Sequence, residues 1–230
     1  MRVNFKLDQF LLVRELFACS QGVHFFMKIV VTGSIAFDYL MSYPGRFSEA
    51  LMAQHLESVS LSFLVDSLKR QRGGTAPNIA YSMALLGGQP TVLATAGQDF
   101  TEYGAWLAGH GVDTSGIVTV KDEYCASFFV STDLDMNQIA SFYTGAMAHA
   151  RTLSFADYAP GADLAIVSPN DPDAMLNHAE ECRQSGIRFI YDPSQQTARL
   201  NGDQLKAGLV GSYMLSVNEY EFELIQEKSG

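Results

Sequence analysis

Hydrophobic positions along this chain follow two different rhythms. Short, nearly unbroken apolar runs occur at Lys28-Ile29-Val30-Val31, Thr91–Ala96, Leu164–Val167, Ile187–Tyr191 and Tyr213–Val217. Runs of this kind predict strands covered on both faces, as in a parallel sheet. Helical spacing appears between them. Ile79, Met83 and Leu86 recur beside the small Ala80 and Ala84, and Gly87 stops them. Thr101 to His110 is closed by Gly111, and Asp173 to Gln184 is opened by Asn170-Asp171-Pro172 and closed by Gly186. On the latter, Met175, Leu176, Ala179 and Cys182 form the inner face. Strands alternating with helices predict an α/β fold: a three-layer α/β/α domain with right-handed crossovers.

The second rhythm has a period of two. From Ser58 to Val65, Val59, Leu61, Phe63 and Val65 alternate with Ser58, Ser60 and Ser62. Cys125–Ser131 and Gln138–Tyr143 read the same way, separated by turn residues from Thr132 to Asn137. Half-exposed strands set among buried ones predict a small β-layer beside the main sheet. With strands from about 39–70 and 124–145, it would cover the sheet mouth as a lid.

Residues 1–26 do not share this pattern. Phe10-Leu11-Leu12-Val13 is too short for a membrane span and is cut by Arg14 and Glu15, although Leu7 to Phe17 could form an amphipathic helix. A second methionine, Met27, stands directly before the first strand. The domain is therefore expected over 27–230, with 1–26 an extension outside the core or a mis-set start.

Composition narrows the function classes. With 47% hydrophobic and 17% charged residues over 230 positions, the chain has material for one good core and perhaps a small subdomain. A net charge of −10 argues against a nucleic-acid or anionic-membrane surface. It leaves room for a phosphorylated substrate, which needs only a few local donors. Cys19, Cys125 and Cys182 form no CxxC pair and read as reduced thiols of a cytoplasmic protein. His24, His55, His110, His149 and His178 show no metal-ligand spacing. Walker-A and GxGxxG phosphate loops are absent.

The candidate chemistry centres on Arg72-Gly73-Gly74-Thr75-Ala76-Pro77-Asn78. Two glycines allow close approach of backbone to ligand, and Pro77 suits a first helical turn. The helix behind them would open with free N–H groups toward a polar ligand. Ser34 and Asp38 follow the first strand, where parallel sheets bind their ligands.

The order of these motifs resembles the ribokinase or PfkB superfamily of carbohydrate and nucleoside kinases. It runs Gly33-Ser34 with Asp38, Gly73-Gly74 with Asn78, Asp192-Pro193, then Asn218-x-x-Glu221. Pro44-Gly45-Arg46-Phe47-Ser48-Glu49, Ser60 to Asp66, Asp135 to Tyr143, and Asp192-Pro193-Ser194-Gln195-Gln196 with Arg199 look like its bacterial adenosine kinase branch. The resemblance implies a ribokinase-like α/β/α fold with a β-sheet lid, and an enzyme that uses ATP and Mg2+ to phosphorylate the 5′-hydroxyl of adenosine. Asp38 and Asn78 match positions that hold ribose hydroxyls, and Gly73 and Gly74 match the turn that admits the sugar. Ser34, Ser62, Gln195 and Gln196 match positions around the nucleoside. Phe128 and Phe142 match aromatics that sandwich the purine. Arg199 looks like a phosphate-side residue, and Asn218 and Glu221 match the motif that arranges magnesium, water and phosphate. No catalytic residue is assigned, because the family's later glycine-rich turn with its aspartate base has no counterpart up to Gly230. Two alternatives follow: a sugar kinase for fructose or a ribose-like substrate, and a non-catalytic nucleoside-binding remnant. The implied partners are a small nucleoside and, through the lid strands, a second copy of the chain.

Overall fold

The computed structural model describes residues 27–50 and 60–230. Its strands are β1 Ile29–Thr32, β2 Ala36–Ser42, β3 Ser67–Gly73, β4 Thr91–Ala96, β5 Ile117–Thr119, β6 Ala126–Thr132, β7 Gln138–Tyr143, β8 Leu164–Val167, β9 Arg188–Tyr191 and β10 Met214–Leu215. They form two sheets. A six-stranded sheet has the order β10-β9-β8-β1-β4-β5, and its pairings are parallel. A four-stranded sheet has the order β3-β2-β6-β7, with β2–β6 parallel and the outer pairs antiparallel.

The unbroken apolar runs are explained by two separate cores. Val31 of β1 and Val92, Ala94 and Ala96 of β4 pack with Ala76 and Ala80 of helix Thr75–Leu85 and Tyr103 and Leu107 of helix Thr101–Gly109. Their alternate neighbours Val30 and Leu93 turn the other way. They join Val167, Phe189 and Tyr191 against Met175, Ala179 and Cys182 of helix Pro172–Ser185. Side chains that alternate between two cores require helices on both faces, so the domain has three layers.

Element ends follow local chemistry. Helix Pro172–Ser185 is capped by the Asp171 carboxylate, which accepts from the Ala174 N–H at 3.1 Å, and it ends on left-handed Gly186. Several expectations are corrected. Ser60–Val65 is not a strand; the lid strand is β3, whose Ser-Leu-Lys-Arg-Gln-Arg-Gly sequence has no apolar alternation and is held by seven residues of register with β2. The part of that predicted strand at 58–59, the helix at Leu7–Phe17 and the extension 1–26 lie outside the described residues. On helix Thr75–Leu85 the buried positions are Ala76, Pro77 and Ala80, while Leu86 beyond its end is exposed. Small residues face the sheet there because the helix crosses it closely. The strand expected over Tyr213–Val217 is only Met214–Leu215, an edge strand paired on one side.

Candidate active site

The polypeptide passes from β1 through Gly33-Ser34-Ile35 directly into β2. This places Asp38 inside a lid strand, not in a turn or cap, and its strand neighbours are Gln71 of β3 and Phe128 of β6. Phe128 is in turn opposite Phe142 of β7. Residues in register share a sheet face, so a carboxylate and two aromatic rings line up on one side of the lid. That side closes a cavity of about 670 Å3 against the carboxyl ends of the main-sheet strands. Its walls include Ser34, Asp38, Gly74, Asn78, Phe128, Phe142, Gln195, Gln196 and Arg199. Nine residues named from sequence are thus brought together.

The Gly-Gly pair has two distinct roles. A methyl group on Gly73 would lie 2.5 Å from Asp38 Oδ2, so the missing side chain makes room for that carboxylate. Gly74 has φ +93° and serves as the helix N-cap; a Cβ there would lie 2.4 Å from the Ser34 carbonyl oxygen and 2.7 Å from the Ala36 N. The first requirement is space for a side chain, the second a backbone crossing open only to glycine.

Sequence reading missed Thr75, the hub beneath the cavity. Its hydroxyl donates to the Pro169 carbonyl at 2.9 Å and lies 2.9 Å from the Ser168 hydroxyl, which itself donates to the Thr32 carbonyl at 2.6 Å. The Thr75 N–H donates to Ser34 Oγ at 3.3 Å. One of the helix-opening N–H groups expected to face a ligand is therefore already taken by Ser34. Ala36, Thr144, Met147 and Pro169 also line the cavity. A threonine directly after the glycine pair was the available signal for Thr75; nothing local marks the others.

Electrostatics differ along the cavity. Asp38 is half-buried, and loss of hydration pushes its carboxyl above the usual range. Gln196 is buried and its Nε2 donates to the Asn170 carbonyl at 2.7 Å, leaving its Oε1 without a partner among the described residues. At the end of β9, Asp192 is pushed up to about 6, first by burial and then by the negative charge of Glu221.

Four expected residues lie outside the cavity wall. Ser62 is exposed in the segment before β3, because the strand starts later than its pattern predicts. Gly73 is buried behind Asp38. Asn218 and Glu221 form a reciprocal cap: Asn218 Oδ1 accepts from the Glu221 N–H at 2.8 Å, and Glu221 Oε2 accepts from the Asn218 N–H at 3.0 Å. This box opens helix Glu219–Ser229. Among the described residues no three His, Cys, Asp or Glu side chains gather as a metal site, and none of the helices is long and apolar enough to cross a membrane.

Known proteins resemble the chain in sequence and overall fold. A nucleoside kinase of Methanothermobacter thermautotrophicus is 28% identical over 206 residues, covering 87% of this chain and 62% of its own length. The chain therefore spans less than two thirds of that curated relative. The nucleoside kinase of Burkholderia thailandensis, solved in complex with inosine, is 36% identical with a TM-score of 0.74, over 88% of this chain and 64% of that one. The nucleoside kinase of Methanocaldococcus jannaschii, described as an archaeal member of the ribokinase family, has a TM-score of 0.73 at 22% identity and supports the fold alone. A family model, pfkB family carbohydrate kinase, matches residues 28–230. With its two-sheet architecture and this match over nearly all of its length, the chain belongs to the pfkB family of carbohydrate kinases.

Proposed function

We propose that this chain carries the nucleoside-binding half of a cytoplasmic kinase that transfers the γ-phosphoryl group of ATP to the 5′-hydroxyl of adenosine, giving AMP for purine salvage. The observation that carries this reading is the single row Asp38–Phe128–Phe142 on the cavity side of the lid, opposite Gln195 and Gln196. Two rings offer a stacking surface to a flat base, worth on the order of 1–3 kcal/mol per base. Asp38 and Asn78 suit a vicinal diol, one as acceptor and the other as donor and acceptor. Gln195, exposed at the cavity wall, offers an amide that donates and accepts toward the edge of a base. The inosine bound by the Burkholderia relative is itself a purine nucleoside, which favours this reading over a sugar kinase.

ATP and Mg2+ belong to the same proposal. Arg199 at the cavity wall supplies a planar guanidinium for phosphate. Asp192 and Glu221 repel each other at the strand ends, a repulsion that a divalent cation relieves. Without a three-ligand cage, Mg2+ would be held largely through water and phosphate oxygens, as is usual for it. When bound, the ion would neutralise developing charge on the transferring group. Among the described residues Asp38 is the only carboxylate on the cavity wall, which favours as second reading a chain that binds nucleoside without transferring phosphate. For a second copy of the chain, β3 and β7 are the lid edges, each paired on one side; sedimentation across a concentration series tests that assembly.

Calorimetric titration with adenosine, inosine, ribose and fructose tests the assignment. Saturable adenosine binding that weakens by roughly 1–3 kcal/mol in Asp38→Ala is expected. Binding of free sugar with none of nucleoside overturns it in favour of a sugar kinase.

A further inference from the structure

The lid sheet has a second concave surface on the face turned away from Asp38. A cavity of about 450 Å3 lies there, lined by Phe37, Arg70, Arg72, Asp99, Glu102 and Trp106 among others. Phe37 is in register with Arg72, one residue from the Asp38–Gln71 pair, so these side chains point to the opposite face. Arg70 and Arg72, two apart on β3, therefore aim into one space.

Both guanidinium groups lie over aromatic rings. The Arg70 carbon Cζ lies 3.6 Å from the Phe37 ring centroid, and that of Arg72 lies 4.9 Å from the Trp106 centroid. Stacking fixes the plane and leaves the edges, where the N–H donors are, free to point at a ligand. Arg70 spends one donor on Asp99 at 3.1 Å, and the other Asp99 oxygen accepts from the Cys125 N–H at 2.8 Å. That carboxylate is pinned, and it pins Arg70. The Arg72 guanidinium makes no hydrogen bond among the described residues. Its nearest carboxylate oxygen is 3.7 Å away on Glu102, whose side chain is 88% exposed and easily displaced. Of the other polar groups at the cavity, the Tyr103 hydroxyl is committed to the Gly73 carbonyl at 3.1 Å, and Gln71 adds a neutral amide.

We propose that this back-face cavity is a second small-molecule site, taking a phosphate-bearing anion between the guanidinium edges of Arg70 and Arg72. Two stacked forks with one weakly engaged partner match the oxygens of a phosphate, which accepts paired N–H bonds from arginine. The site does not depend on the nucleoside assignment. Inorganic pyrophosphate and a nucleotide share the recognising chemistry.

The test is calorimetric titration of the 230-residue chain with inorganic pyrophosphate and, separately, with AMP. Saturable pyrophosphate binding is expected to weaken at least tenfold in Arg72→Met and to tighten severalfold in Glu102→Gln. Glu102→Gln removes only an exposed charge, so the prediction survives a folding failure in the arginine variant. Tighter binding of AMP than of pyrophosphate, with the same Arg72 dependence, marks a nucleotide as the ligand; equal or weaker binding marks the inorganic anion. No saturable pyrophosphate or AMP binding up to about 10 mM in either parent or Glu102→Gln overturns the site. Pyrophosphate binding that Arg72→Met leaves undiminished overturns it equally.

Discussion

Adjacent glycines in this chain answer to different demands, and substitution separates them. In Gly73→Ala the new methyl meets only the end of the Asp38 side chain, at 2.5 Å, and that end can rotate away. Stability is expected to change by about 1 kcal/mol or less, while nucleoside affinity falls by roughly 1–3 kcal/mol because the carboxylate is displaced. In Gly74→Ala the methyl meets backbone at 2.4 Å from a residue with φ +93°. A cost of about 3 kcal/mol or more is expected, visible as a lowered unfolding midpoint with no ligand present. Comparable losses of stability in both variants would contradict this division.

Two titrating residues oppose each other below neutrality. Asp192 has its carboxyl pushed from 3.8 to about 6, first by burial and then by Glu221, so the folded state prefers it protonated. Its stabilising contribution is complete below 3.8 and is lost as pH rises through about 6, a difference of roughly 3 kcal/mol. His178 is fully buried and held at about 4 instead of 6.5, chiefly by burial. Its contribution is present above 6.5 and is lost as pH falls toward 4, again roughly 3 kcal/mol. The parent protein should therefore show a shallow profile across this window. Asp192→Asn is expected to melt higher than the parent at pH 7.5, with the gap closing by pH 4. In that variant the acid-side loss due to His178 stands uncovered. A constant gap across pH would mean that Asp192 titrates normally.

At the scale of elements, Asn218 and Glu221 show how one motif serves two readings. The asparagine and glutamate cap each other's N–H groups at the start of helix Glu219–Ser229. Asn218→Ala is expected to cost about 1 kcal/mol, read as faster hydrogen exchange over that helix. Glu221→Gln keeps an acceptor for the Asn218 N–H and removes the charge. If the glutamate serves only as a cap, this variant retains both stability and nucleotide affinity. A selective loss of nucleotide affinity would assign it to the phosphate site. Legibility also differed by element. Buried strands such as Leu164–Val167 were plain in the sequence because both faces need apolar side chains. β3 was not, because Lys69, Arg70 and Arg72 carry no burial pattern and pairing with β2 makes the strand.

For the whole molecule, the main cavity is bounded by both sheets, with Phe128 and Phe142 from one and Ser34, Pro169 and Gln195 beyond the strand ends of the other. A nucleoside bound there, as proposed, would link them. Adenosine at about a hundred times its Kd should add roughly 2.7 kcal/mol and raise the melting temperature by roughly 5–10 °C. Hydrogen exchange should slow in β6 and β7 as well as near Gly74; slowing confined to one sheet would place the ligand elsewhere.

The sequence by itself determined the α/β rhythm and the glycine turn, which rest on local chemistry: burial on two faces, a position without a Cβ, a helix cap. Most of the residues that meet in the cavity were named through the resemblance of the motif order to a known family, not through local chemistry. Tertiary structure decided what depends on pairing between distant segments. It placed Asp38 within a strand beside Phe128 and made Thr75 a hub between Ser168 and Pro169. It also turned Arg70 and Arg72 toward the face opposite Asp38. Strand register has a period of two, so a side chain's face is set by its partner strand and not by its neighbours in the chain.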